Sequence, residues 1–222
     1  MKTFDKTIIA FIFFILIIML FDSMKDNTIL KDVVCLTDRD PERKINPDGK
    51  FKKCYPYEYN QDTTKYTYQT NPNAEKYPAH PNITFYSQDI EKGKTFEYEI
   101  LLSNPTLELL LTDSISNEVE IKALMTLYST DGKTAKDLLD RLNSSDENTR
   151  IKDSINANVV FNDEEKKKAI IASRYLNSVG KGENALELSY VLLENFKKEG
   201  TPDYKKFIVP EYIKNAIEKL CQ

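Results

Sequence analysis

The chain has 222 residues, 31 Lys and Arg against 35 Asp and Glu, a net charge of −4 and no Trp. The charges are dispersed rather than blocked, and no basic patch interleaved with aromatics is present, which argues against a nucleic-acid partner. Setting aside an apolar leader of about 20 residues leaves about 200, enough for one domain or for a domain on a stalk.

The first element is the apolar run Ile8 to Phe21, which lacks charge, Gly and Pro. As a helix it would rise about 21 Å against a hydrocarbon core of about 30 Å, short for a span and typical of a signal peptide. Lys2 and Lys6 give it a positive leading end. No small-x-small cleavage triplet follows, since Ser23 has Phe21 behind it, and this favours an uncleaved signal anchor over a cleaved signal. Lys6 can snorkel and the bilayer can thin around a short anchor. A slight excess of positive charge ahead of the run sets the N-terminus in the cytoplasm. The expectation is a single-pass membrane protein, with residues 1–22 as signal anchor or signal peptide and the C-terminal domain outside the cytoplasm. A secreted or periplasmic protein after cleavage is the alternative.

Residues 23–81 read as a juxtamembrane stalk followed by a Tyr- and Pro-rich irregular segment. Met24, Ile29, Leu30, Val33 and Val34 share one side of a stalk or helix up to about residue 34. Six of the nine prolines then lie between Thr37 and Pro81, among Tyr55, Tyr57, Tyr59, Tyr66, Tyr68 and Tyr77. Each Pro removes a donor and pushes its predecessor to extended angles, so no helix is expected here. Asn46-Pro47-Asp48-Gly49 is a turn with Pro at its second position. The tyrosines are expected to cover the domain surface, with an aromatic ligand patch as the sharper reading. Cys35 and Cys54 flank this polar stretch, and outside the cytoplasm a disulfide between them would close a loop of about 20 residues, stabilising by about 3 kcal/mol. Cys221 is left over, either to pair with another chain or to pack as an apolar residue.

Residues 82–222 are expected to form a β-hairpin plus an α-helical domain. Ile83–Ser87 and Thr95–Leu102 are the two predicted strands, because Phe96, Tyr98, Ile100 and Leu102 alternate with Thr95, Glu97, Glu99 and Leu101. Gly93 is assigned the positive φ of their turn. The period then becomes helical. Pro105 opens a short helix, Ile121, Leu124, Met125 and Tyr128 stripe the next, and Ala135, Leu138, Leu139 and Leu142 the one after Gly132, capped by Thr134 and Asp137. Ser144 with Glu147 caps a helix holding Ile151 and Ile155. Asn162 with Glu165 caps one whose face is Ala169, Ala172, Leu176 and Val179. Ala185, Leu188, Leu192 and Phe196 mark another, closed by Gly200, and Pro210 opens the last, with Ile213, Ala216, Ile217 and Leu220. The fold class is therefore mainly α, a helical bundle or stacked helical hairpins, with a small N-terminal β-hairpin and an N-terminal transmembrane or signal helix.

Chemical motifs are incomplete. Gly93-Lys94-Thr95 and Gly132-Lys133-Thr134 end like phosphate-binding loops, but the earlier glycine is replaced by Gln88 and Leu127. The Asp38-to-Arg43 stretch hints at a calcium loop and is interrupted by Pro41. His80 is the only histidine, between Ala79 and Pro81, with no triad or metal partner in view. Glu97 with Glu99 and Glu183 with Glu187 are carboxylate pairs, read as solvated faces before a glycosidase-type pair. Asn82-Ile-Thr84 and Asn143-Ser-Ser145 are glycosylation acceptors where that machinery exists.

No catalytic, cofactor or metal site is expected. The function expected is a membrane-anchored or secreted extracytoplasmic helical domain that binds another protein, as an interaction or envelope-assembly component. Its partners are then the membrane, through the N-terminal helix, and an unidentified protein. The alternative is an extracytoplasmic carboxylate-dependent hydrolase acting on polysaccharide or cell wall, and a third reading is a cytoplasmic domain on a membrane tether.

Overall fold

In a computed structural model of the chain the described residues are 33–38, 43–58, 67–69, 83–89 and 92–221. The chain divides into two units, Met1–Val33 with Ala79–Thr84, and Val34–Pro78 with Phe85–Gln222. Of the first, the described residues are Val33, Ile83 and Thr84 alone. The second is mainly α. It carries seven α-helices among the described residues, and the five strands described in the chain are three or four residues long.

The strands are β1 (Val33–Leu36), β2 (Arg43–Ile45), β3 (Phe51–Lys53), β4 (Thr67–Gln69) and β5 (Ile83–Tyr86). β2 and β3 form an antiparallel hairpin, Ile45 opposite Phe51 and Arg43 opposite Lys53. Its turn is the expected Asn-Pro-Asp-Gly: Gly49 takes φ 80° and donates its N–H to the Asn46 carbonyl at 2.9 Å. β4 joins the other edge of β2, giving the order β3-β2-β4, and β1 lies beside β5 in a second small sheet. A 3₁₀ turn, Pro56–Glu58, leads Tyr55 and Tyr57 into the core, where their rings stack at 5.3 Å. Both tyrosines are fully buried rather than spread over the surface as expected. Tyr59, Tyr66 and Tyr77 lie outside the described residues.

The expected hairpin over 83–102 is not formed. Ile83–Tyr86 is a strand, but Phe96–Ser103 is helix α1, with Thr95 as its extended N-cap. The same residues carry both periods: Tyr98, Leu101 and Leu102 stand at i, i+3, i+4 as well as within an alternating run, and packing decides between them. Gly93 does not take a positive φ either. A Cβ there would meet Gln88 Cβ at 2.5 Å and the Asp89 main chain at 2.7 Å, so close approach of chain segments is what requires glycine.

The remaining helices are α2 (Glu118–Tyr128), α3 (Ala135–Arg141), α4 (Asp146–Ala157), α5 (Asp163–Leu176), α6 (Lys181–Phe196) and α7 (Glu211–Leu220). Helix α5 is the axis. Ala169, Ile170, Ile171, Ala172, Ser173 and Tyr175 are all fully buried, and α1, α2, α3 and α4 pack around it. A helix apolar on nearly every side belongs in the middle of its neighbours, not at a surface. Its first turn is fixed by Asn162 and Glu165, each side chain bonding the other's N–H at 2.9 and 3.1 Å. The Thr134–Asp137 cap of α3 also forms, while α4 is capped by Ser145, one residue later than expected. Pro105 opens no α-helix; the stretch after it turns as Glu108–Leu110, a 3₁₀ segment.

Two expectations are corrected. The signal anchor over residues 1–22 lies outside the described residues, and among the described residues no helix is long and apolar enough to cross a membrane. The longest, α6, has 16 residues and carries charge. The single-pass assignment, and the location outside the cytoplasm or after secretion drawn from it, are not retained. The disulfide is the second: Cys35 and Cys54 are free, each buried at its own place in the fold.

Candidate functional site

Helix α6 is held by one face and presents another. On the inner face Leu188 is buried and two asparagines act as polar bolts at either end. Asn184 donates to Thr112 Oγ1 at 2.9 Å and accepts from the Tyr175 hydroxyl at 3.1 Å. Asn195 donates to the Lys205 carbonyl at 2.7 Å and accepts its N–H at 2.9 Å. The Ser114 and Thr112 side chains, with the Ser114 N–H that Glu187 accepts at 3.0 Å, hold its carboxyl below the usual range. Buried amide groups with both donor and acceptor satisfied fix the rotation of a helix about its axis.

On the opposite face Leu186, Tyr190 and Leu193 are 61, 63 and 53% exposed. At i, i+4 and i+7 they form one line along the helix, about half a turn away from Leu188. Beside the line runs a shallow groove of about 250 Å³, lined by Leu109, Tyr190, Val191, Glu194, Asn195 and Lys198. The sequence reading expected a single face of Ala185, Leu188, Leu192 and Phe196. Of these Leu188 is buried and Leu192 half-buried, whereas Ala185 is exposed and Phe196, half exposed, lies beside Tyr204. The spacing of Leu186, Tyr190 and Leu193 was a readable signal for a second apolar line.

The densest polar cluster is elsewhere. Glu58 receives Arg150 in a fork, Nε at 2.8 Å and Nη2 at 2.5 Å, and also Lys44, while Arg150 Nη1 reaches Glu147 at 2.9 Å and Nη2 the Lys53 carbonyl at 2.7 Å. Tyr55 donates to Glu147 at 2.8 Å and accepts from Asn177 at 2.7 Å. The Arg150 guanidinium and the Lys94 ammonium stand 4.8 and 4.5 Å from the Tyr55 ring centre. Burial alone would raise the Glu58 carboxyl, but Arg150 and Lys44 hold it below the usual carboxylate range. Burial, with Glu58 nearby, pushes the Cys54 thiol up to about 12. Glu58, Arg150, Glu147 and Tyr55 thus bind one another across the 43–58 segment and α4. The cluster is a strap tying the 43–58 segment to α4, and it does the work expected of the disulfide.

The pKa of the Tyr212 hydroxyl is raised by burial and by Asp38, Glu99 and Glu97 around it. On helix α1, Glu97 and Glu99 are two residues apart and point about 200° from each other. Glu99 is buried and its pKa is raised to about 7, chiefly by that burial, with the Lys94 N–H at 3.3 Å opposing. Asp38, on the same side of the fold, accepts Gln88 Nε2 at 2.8 Å and the Phe96 N–H at 3.1 Å. Glu183 is exposed and Glu187 is occupied by Ser114. Lys133 and Thr134 serve the α3 cap, bonding Asp137 at 3.1 and 2.9 Å, and Asn143 is engaged with Ser145 and Asn148. His80 and Asn82 lie outside the described residues. Among the described residues no group of three or more His, Cys, Asp or Glu could hold a metal ion.

No protein-family model, curated protein or solved structure matches the chain.

Proposed function

We propose that the chain is a non-enzymatic protein-interaction module working through the outer face of α6. The observation that carries this reading is the line Leu186–Tyr190–Leu193, three large apolar side chains more than half exposed on a helix already anchored by its other face. Leaving them in water costs free energy that the fold itself does not recover, and such patches rimmed by polar groups mark contact sites. Tyr190 beside a shallow groove fits the role of an anchor at the centre of an interface.

The second reading, a carboxylate-dependent hydrolase of polysaccharide, has Glu99 in its favour, a carboxyl poised near neutral pH. Asp89 adds to the rise, but Glu99 itself is buried, out of a polymer's reach, so the interaction reading is preferred. A photo-crosslinking amino acid placed at position 186 of the full chain, in its source cells, tests the preferred reading. The expected result is a protein adduct that is lost in Tyr190→Glu and absent when the probe stands at the exposed Lys136 on α3, with the helical circular dichroism unchanged. No adduct, or one indifferent to Tyr190→Glu, overturns it.

A further inference from the structure

We propose that the outer face of α6 docks on the same face of a second copy of this chain, the two helices antiparallel about a two-fold axis at Tyr190. This rests on the interaction reading above and names the partner.

The apolar line has charged ends of opposite sign. Glu183, Leu186, Tyr190, Leu193 and Lys197 follow one another at steps of three and four residues, so all five lie on one side of the helix. Glu183 and Lys197 are each seven residues from Tyr190. An antiparallel second copy centred on Tyr190 therefore sets its Glu183 over Lys197, and its Lys197 over Glu183. The exposed Glu194–Lys197 pair within one helix offers little resistance to this exchange.

The flanks of the line are matched by the same alignment. Leu186 and Leu193 lie on one flank, so the second copy's Leu186 packs beside Leu193. Glu187 and Glu194 lie on the other, so the exposed Glu194 of one copy comes near Glu187 of its partner, whose carboxylate is engaged by the Ser114 N–H. A parallel arrangement would instead set Glu183 on Glu183 and Lys197 on Lys197, which is repulsive at both ends. The apolar line and its charged ends complement themselves in one orientation only, the condition for an isologous two-fold contact. With one helix contributed by each side the contact is small, and a weak, concentration-dependent dimer is expected.

Sedimentation velocity on the full chain, from low-micromolar to submillimolar concentration, gives the first readout. The wild type should pass from monomer to dimer, and Tyr190→Glu should stay monomeric with unchanged circular dichroism. Glu183→Lys and Lys197→Glu should each weaken the dimer several-fold, and the double reversal should restore it. In a Cys221→Ser background, Tyr190→Cys should form an intermolecular disulfide on mild oxidation, whereas Lys136→Cys should not. A wild type monomeric throughout overturns the proposal, as does a dimer indifferent to Tyr190→Glu, which would be held by another surface. A monomer whose position-186 adduct in cells contains a different protein overturns self-association alone and leaves the interaction reading standing.

Discussion

Glu99 is a carboxyl that the fold buries in α1, and its protonation has a sign that can be checked. Its pKa rises from 4.5 to about 7 on folding, so the native state holds the proton more tightly than the unfolded chain does. Its contribution to stability is thus fullest below about pH 4.5, falls as pH rises through about 7 and is flat above that, for a loss of about 3 kcal/mol. Glu99→Gln keeps the acceptor for the Lys94 N–H and removes the charge. We expect the variant to lose that pH dependence and to be more stable than wild type by up to about 3 kcal/mol at alkaline pH, measured by urea unfolding across the range. Equal slopes for the two proteins would show that the carboxyl is hydrated in solution. None of this is legible in the sequence, where Glu97-Tyr98-Glu99 offers two alternating acidic residues and no sign of which is covered. The buried asparagines of α6 were hidden likewise, since an Asn in a helix usually signals a turn or a cap.

At the scale of elements the sequence was informative wherever a cap and a stripe agreed. Thr134 with Asp137 starts α3, and Ala135, Leu138, Leu139 and Leu142 are its buried face as read. Asn162 with Glu165 starts α5 in the same way, though its stripe was read as narrow because Ile170, Ile171 and Tyr175 become inward-facing only when neighbours close on every side. Helix α1 was misread because an alternating run and a helical one coincide over eight residues, and only its packing on α5 separates them. The register of α3 is testable at adjacent positions. Leu139→Asp would put a charge among Leu138, Ile121 and their neighbours in the core, and should cost several kcal/mol or prevent folding. Asp140→Ala removes only an exposed pair with Lys136, and should change thermal unfolding by less than about 0.5 kcal/mol. Similar effects from both would mean that α3 is rotated from the orientation described here.

For the whole molecule the question is what fastens a Pro-rich segment of short strands to the helices. Sequence reading answered with a disulfide because Cys35 and Cys54 are close in the chain, whereas the actual partners, Glu58 and Arg150, are 92 residues apart and of types scattered throughout it. Long-range pairing of common residues leaves no local mark. Glu58 sits between Lys44 from β2 and Arg150 from α4, and its carboxyl accepts the Tyr55 N–H at 2.9 Å as well. Removing one partner from a buried ion pair costs more than the pair contributes, about 3–5 kcal/mol, because the other charge stays behind. Arg150→Met should therefore destabilise strongly, and Glu58→Gln with Arg150→Met should recover part of the loss. The pH dependence runs opposite to that of Glu99: the Glu58 carboxyl is held below its ordinary range, so its contribution is full above about pH 4.5 and disappears as pH falls through the lowered value. Hydrogen exchange distinguishes a strap from a keystone. In Arg150→Met, amides of β2, β3 and 56–58 should lose protection first while those of α5 keep theirs, since α5 is surrounded by α1, α2 and α3 without help from the strap. Simultaneous loss in both regions would instead make the 43–58 segment part of one cooperative core, with Tyr55 and Tyr57 as members the helices cannot do without.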